Sequence, residues 1–198
     1  MPPATIARGL GTLVRQQRRL ARLVDSLLDV TRLGAQQLHP DVESFDLAAL
    51  IQDVVELFRG ELAAARCELV LRASTPIVGS WDRGRLEQVV ANLLSNAIKY
   101  GAGHPVEIET GLRGRMATIS VRDHGIGMDD ATRAQLFQRF KRGVSARHYG
   151  GLGLGLFIAR QLVEAMKGSI TVEAAPAKGA TFLVELPLET VPEAPPLP

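Results

Sequence analysis

The 198-residue chain has a single cysteine, Cys67. That excludes an intramolecular disulfide framework and a cysteine-rich zinc site. Cys67 lies in the alternating run Cys67-Glu68-Leu69-Val70-Leu71 and reads as a small core residue. No stretch approaches the ~18 consecutive apolar residues of a membrane helix, and no signal peptide is visible. The composition therefore reads as soluble and intracellular, with any membrane segment outside this chain. Net charge is also small, at +2, so bulk charge makes no case for nucleic acid. There is no internal repeat. Against these absences, 46% of residues are hydrophobic and 22% charged, which is globular composition and not that of a mostly disordered or collagenous chain. The length allows one ordinary domain with an appendage, or two small domains.

Charge and glycine are unevenly spread. Residues 1–33 carry six arginines against Asp25 and Asp29, a local +4, and the remainder is net acidic. Eleven of the 19 glycines fall between Gly101 and Gly155. Residues 5–33 read as one long helix. Ile6, Leu10, Leu13, Gln17, Leu20, Val24, Leu27 and Thr31 follow alternate spacings of four and three, a heptad seam. Leu23, Leu28, Val30 and Leu33 widen the apolar face, which then wants more than one partner helix, as in a four-helix bundle. The arginines mostly occupy the other side, as a solvated face.

Gly34 and Pro40 end this helix and open a connector. Asp46 looks like an N-cap, with Phe45 placed to staple against Leu50, and a helix should run to about Ala65. Strands are expected at 67–73 and around 76–79. Asp82 should cap a helix over 83–100, with Leu86, Val89, Val90, Leu93, Leu94 and Ala97 apolar. The segments 105–111 and 115–122 read as a hairpin. A short helix near 129–137 leads into an irregular loop, 138–151. A helix over 153–167 and strands at 169–174 and 180–187 close the pattern. From Pro187 there are five prolines in 12 residues, which predicts a disordered tail. Strands and helices that do not strictly alternate predict an α+β fold: a two-layer sandwich of a mixed β-sheet with helices on one face, plus the N-terminal long helix.

Three clusters interrupt this scaffold. In the first, Asn92, Asn96 and Lys99 are four and three residues apart on one helix and share a face. Amide oxygens suit a hard cation such as Mg²⁺, and a lysine one turn on can meet phosphate oxygens. Ordinary capping and surface polarity would look the same. The second, Asp123-His124-Gly125-Ile126-Gly127-Met128, follows a strand. Its carboxylate can accept from an exocyclic amine such as adenine's, and its glycines let backbone approach a flat ligand. A tight turn is the plainer alternative. In the third, Gly150, Gly151, Gly153 and Gly155 run into a helix N-terminus, a setting for an anion. It is neither a P-loop, since Leu156-Phe157 follows, nor a dinucleotide fingerprint, since no βαβ unit surrounds it.

In that order and at those separations, the three clusters resemble the N, G1 and G2 boxes of the histidine-kinase catalytic domain. That domain belongs to the superfamily of gyrase, Hsp90, MutL and histidine-kinase ATPases, which has the Bergerat-type ATP-binding fold. Leu136-Phe137-Gln138-Arg139-Phe140 looks like the F box, and Lys178-Gly179-Ala180-Thr181-Phe182 like the closing Gly-x-x-Phe segment. The resemblance covers about residues 40–187. Residues 8–33 look like the second helix of the family's dimerisation and phosphotransfer bundle. The implied organisation is 1–35, an incomplete dimerisation region; 36–187, the ATP-binding catalytic domain; and 188–198, the tail.

The resemblance implies ATP and Mg²⁺ as cofactors. Asn96 matches the Mg²⁺-holding asparagine, with Asn92 supporting the same site. Lys99 matches a phosphate-binding lysine and Tyr100 an aromatic residue packing on adenine. Asp123 matches the adenine-reading aspartate, with Gly125 and Gly127 beside it. Gly151, Leu152, Gly153, Leu154 and Gly155 match the phosphate-side loop, and Thr181 lies in the closing segment. Arg139, Arg142 and Arg147 fall on or beside the expected ATP lid, with Arg147 favoured as a γ-phosphate contact. The implied catalytic group is thus Asn96, Lys99 and Arg147.

Departures from the family are informative. ATPase members carry a glutamate that activates water where this chain has Asn92, which favours transfer to a protein over hydrolysis. His124 stands where asparagine or aspartate is more usual, and Leu152 where threonine often sits. The phosphoacceptor histidine lies on the first helix of the family's bundle, and none of His39, His104, His124 or His148 has its context. The expected function is therefore transfer of the ATP γ-phosphoryl group to a histidine on a dimerisation helix absent from this chain. The expected partners are that phosphoacceptor helix, a second copy in a full-length homodimer, and the receiver domain of a response regulator, with no direct nucleic-acid partner. The expected location is cytoplasmic, as the catalytic part of a sensor. Alternatives are a nucleotide-binding pseudokinase acting as an interaction module, and an anti-sigma-type serine kinase of the same fold. A DNA-binding coiled coil would explain residues 5–33 and nothing else.

Overall fold

The structure, a computed structural model, describes residues 41–141 and 153–189. The long helix expected over 5–33, the residues Arg142, Arg147, Gly151 and Leu152, and the tail beyond 189 lie outside the described residues.

Seven strands and four helices are described. They run β1 (Val42–Asp46), α1 (Leu47–Ala65), β2 (Leu69–Arg72), β3 (Val78–Asp82), α2 (Arg83–Tyr100), β4 (Val106–Arg113), β5 (Met116–Asp123), α3 (Asp130–Gln135), α4 (Gly155–Ala165), β6 (Ser169–Ala174) and β7 (Ala180–Pro187). Five strands form one sheet in the order β2-β4-β5-β7-β6. β2 runs parallel to β4, and the other neighbours are antiparallel. The expected mixed sheet is thus present, and α1, α2 and α4 supply the second layer.

Each main helix is amphipathic for a simple reason. α2 buries Leu86, Val89, Val90, Leu93, Leu94, Ala97 and Ile98 and leaves the residues between them half-exposed. α4 buries Ile158, Ala159, Leu162 and Val163, and packs chiefly on α2. Along β5 and β7, alternate residues (Ala117, Ile119, Val121; Phe182, Val184, Leu186) are buried beneath this layer, as a half-covered sheet requires. Asp46 caps α1 as expected, accepting from Ala48 N at 3.0 Å, and also from Ile77 N at 2.9 Å. Asp82 caps α2, accepting from Arg85 N at 3.0 Å, from Arg85 Nε at 3.0 Å and from Asp41 N at 3.1 Å. Cys67 is buried, as its place in an apolar alternation predicts.

Three features were not anticipated. Residues 42–46, assigned to a connector, form β1 and pair antiparallel with β3 as a separate two-stranded sheet. The strand expected near 76–79 instead runs to Asp82 and contains Trp81, which is completely buried. Phe45 meets the Trp81 ring edge-on with centroids 5.5 Å apart. Residues 188 and 189, placed in the tail, continue the packed structure. Ser80 N donates to Leu188 O at 2.8 Å, Leu188 N donates to Arg115 O at 3.1 Å, and Ser80 bridges Glu189 in parallel register. Among the described residues no helix is long and apolar enough to cross a membrane.

Candidate functional site

α2 runs unbroken from its Asp82 cap to Gly101, so residues 92, 96 and 99 lie along one flank. Asn92, Asn96, Lys99 and Tyr100 are all half-buried there, beside the apolar face and not within it. Lys99 Nζ donates to the Tyr100 hydroxyl at 3.0 Å and lies 4.6 Å from the centre of that ring. Facing Asn92 is the first residue of α4. A Cβ built on Gly155 would lie 3.1 Å from Asn92 Oδ1, so the start of α4 passes close to that amide. Among the described residues no side chain caps α4, so the backbone N–H groups of its first turn lie at the Asn92 side. Leu154 is buried and would offer a ligand only its backbone. Gly153 returns beside the Lys141 carbonyl, bringing the two described ends of the intervening segment together.

The Asp123 cluster meets the other end of α2. Asp123 closes β5, is 4% exposed, and accepts from Gly125 N at 3.0 Å and from the backbone N–H of Ala180. Burial raises its carboxyl above the ordinary 3.8, against the lowering effect of those two bonds. Gly125 lies against the last turn of α2, where any side chain would collide with the Tyr100 carbonyl. Ile126 N donates to that same carbonyl at 3.4 Å. Gly127 holds φ at +61°, and a Cβ there would also run into the Ala175 carbonyl, so two constraints select glycine. The turn over 175–179 closes the corner. Gly179 N donates to Gly125 O at 3.1 Å, and Ala177 N donates to Ile126 O at 2.8 Å.

The structure therefore brings together Asn92, Asn96, Lys99, Tyr100, Asp123, Gly125, Gly127 and Gly155, which come from three separate sequence clusters. It does not bring in Thr181. Asp123 pairs with Ala180, so Thr181 pairs with Arg122 and points to the opposite face of the sheet. The residue that serves Asp123 from this segment is Ala180, through its backbone, a role its side chain could not advertise. Arg139 is also engaged, with its guanidinium 4.6 Å from the centre of the Phe157 ring. His124 is part of a contact that sequence reasoning missed: its Nε2 lies 2.6 Å from Glu107 Oε1. Nothing in sequence spacing pairs residues 107 and 124; only the β4–β5 register does.

This corner offers one buried carboxylate, backbone at close approach, and a polar helix flank leading to a helix N-terminus. A carboxylate that already accepts two backbone donors keeps acceptor capacity for an exocyclic amine. Among the described residues no group of three or more His, Cys, Asp or Glu could hold a metal ion unaided. A cation here would rest on the amide oxygens together with oxygens of its ligand.

Comparison with known proteins agrees with this geometry. The sensor histidine kinase RppB of Synechocystis sp. (strain ATCC 27184 / PCC 6803 / Kazusa) is 37% identical over 187 residues, covering 92% of this chain and 41% of RppB. The Acinetobacter baumannii histidine kinase AdeS superposes with a TM-score of 0.75 at 27% identity, covering 90% of this chain and 83% of that one. Full-length ShkA, solved in complex with AMPPNP, gives a TM-score of 0.79 at 28% identity, covering 94% of this chain and 40% of ShkA. The chain spans half or less of the length of the curated relatives it matches. The family described as histidine kinase-, DNA gyrase B-, and HSP90-like ATPase matches residues 81–190, from the end of β3 past the end of β7. More than half of the sequence lies in that match, and it contains every residue of the corner described above: the chain belongs to the histidine kinase-, DNA gyrase B-, and HSP90-like ATPase family.

Proposed function

We propose that this chain is the ATP-binding catalytic part of a sensor histidine kinase and transfers the ATP γ-phosphoryl group to a histidine carried by a dimerisation helix. One observation carries the reading: the buried Asp123 carboxylate and the Asn92–Asn96–Lys99 flank of α2 lie at one corner, with the start of α4 beside Asn92. Asp123 would take the adenine amine, with Tyr100 and Gly125 beside the ring. Lys99 would neutralise phosphate. Mg²⁺, when bound with the nucleotide, would shield phosphate charge, and the amide oxygens of Asn96 and Asn92 suit a hard cation that shares its coordination with phosphate and water. Gly151, Leu152, Arg142 and Arg147 are assigned to the phosphate side by the sequence resemblance alone.

The flank carries amides and a lysine but no carboxylate to draw a proton from water. Phosphoryl transfer rests mainly on positioning and charge stabilisation, so a presented histidine suffices as acceptor. Partners under this reading are the phosphoacceptor helix, a second copy of the full-length protein and a response-regulator receiver domain, at a cytoplasmic location. RppB and AdeS are both named histidine kinases, and no comparison favours the interaction-module or serine-kinase alternatives.

Two measurements test this. Given γ-labelled ATP, Mg²⁺ and the dimerisation bundle of the same kinase, the chain should place acid-labile phosphate on the bundle. It should place none on its own His39, His104, His124 or His148. Label on one of those four, or rapid release of inorganic phosphate without the bundle, would contradict transfer in the proposed direction. Separately, Asn96→Ala should remove about a factor of ten from the Mg²⁺-dependent part of ATP affinity, the scale of one lost polar contact. Calorimetric titrations with Mg²⁺ and with a chelator would show this. An identical Mg²⁺ dependence in both proteins would remove Asn96 from the cation's reach.

A further inference from the structure

We propose that His124 is a positioning residue for the nucleotide site: held by Glu107, which Arg72 fixes in turn, it sets the direction in which Asp123 presents its carboxylate. The inference rests on the ATP-binding reading of the Asp123 corner.

Three strands take part. Asp123 is the last residue of β5 and His124 the first beyond it, and their side chains leave on opposite faces: Asp123 is buried, and His124 meets Glu107 on the face that Arg122 shares. Asp123 turns under the helices, and His124 turns to the open face. There Glu107 projects from β4, opposite Arg122 in the antiparallel register. His124 Nε2 lies 2.6 Å from Glu107 Oε1, and Arg72 Nη1, from β2, lies 2.9 Å from Glu107 Oε2. The two carboxylate oxygens are thus tied to β2 and to the residue that follows β5, and the carboxylate cannot rotate without releasing one tie. A ring fixed on one face of an extended chain fixes the pleat. A fixed pleat fixes the neighbouring side chain on the other face, which is Asp123.

The two central side chains are 33% and 23% exposed, sheltered enough for the contact to matter more than an open surface pair. The His124 bond first, and that of Arg72 second, hold the Glu107 carboxyl below its ordinary range. The charged groups that the contacts and the register place by the ring are Glu107 on β4, Arg72 behind it on β2, and Arg122 and Asp123 on β5. Glu107 is the only one of these within hydrogen-bond distance of the imidazole among the described contacts.

The tie is tested by titration calorimetry of ATP and of ITP, which carries an oxo group in place of the exocyclic amine, on three proteins: the full chain, H124N and E107Q. Each variant is expected to lose about three- to tenfold in ATP affinity and to bind ITP as the full chain does, because the effect is on the group that meets the amine. Circular dichroism confirms that the variants are folded. An equal loss for ATP and ITP, or variants that bind ATP as tightly as wild type, would overturn the positioning role while leaving ATP binding intact. A wild-type chain that binds neither nucleotide would overturn this proposal together with the reading of the site.

Discussion

Asp123→Ala should lower ATP affinity by roughly one to two decades, the result of about 1–3 kcal/mol lost when a bound donor is left without its acceptor. The fold should survive the change. Burial holds the Asp123 carboxyl above its ordinary value, so its ionised form opposes folding. Any stability this group lends is present in acid, where it is protonated, and is lost as pH rises through the raised folded value. Near neutrality the alanine variant is relieved of that cost, and against it stands the loss of an acceptor for the N–H groups of Gly125 and Ala180. Binding follows the opposite sign. As pH falls through the raised value, the carboxylate takes up a proton and the adenine amine loses its charged acceptor. Wild-type ATP affinity should therefore begin to fall at a pH above the ordinary 3.8, and this component should vanish in the variant. Calorimetry on both proteins would measure it. Unchanged affinity in Asp123→Ala would remove Asp123 from the adenine site.

Trp81→Ala should cost about 3–5 kcal/mol of folding stability, the range for truncating a fully buried aromatic residue. Trp81 is 0% exposed, and its indole N–H donates to Pro187 O at 2.7 Å. Phe45 packs on its edge, and Gly79 lies so close that any side chain there would enter the ring. The residue thus joins β1, β3 and the end of β7. Trp81→Phe should cost less, because a ring remains and only the indole bond and part of the volume go. Urea denaturation followed by circular dichroism would rank the three proteins, since the chain's one tryptophan is lost in both variants. A loss under about 1 kcal/mol in Trp81→Ala would mean the site had collapsed around the gap.

How much of this was legible beforehand varies element by element. The limits of α2 were readable because three local signals agree: the Asp82 cap, the 3.6-residue apolar repeat and the terminal Gly101. β6 and β7 were readable from strict alternation. β1 was not, because Val42-Glu43-Ser44-Phe45-Asp46 has little apolar alternation and its partner lies some 35 residues on. Its pairing is a tertiary fact. The same holds for the site. Local sequence supplied Asn92, Asn96, Lys99 and Asp123 as candidates, but their meeting was legible only through resemblance to a family, since no local rule joins the end of α2 to the end of β5. Thr181 was misassigned because one step of strand register decides which face a residue serves. Ala180 and Glu107 were missed for the same reason, one acting through its backbone and the other across strands.

The small sheet also governs what can be attached to this protein. β1 and the 188–189 segment flank β3 on its two sides, and both place their outer ends at the Asp82 end of that strand. A fusion joined before residue 41 and one joined after residue 189 would thus leave from neighbouring points, at the N-terminal end of α2. Asp123 and Tyr100 lie at the other end, 18 helical residues or about 27 Å away. A fluorescent protein, an affinity tag or a surface anchor could be carried at either junction without crowding the Asp123 corner.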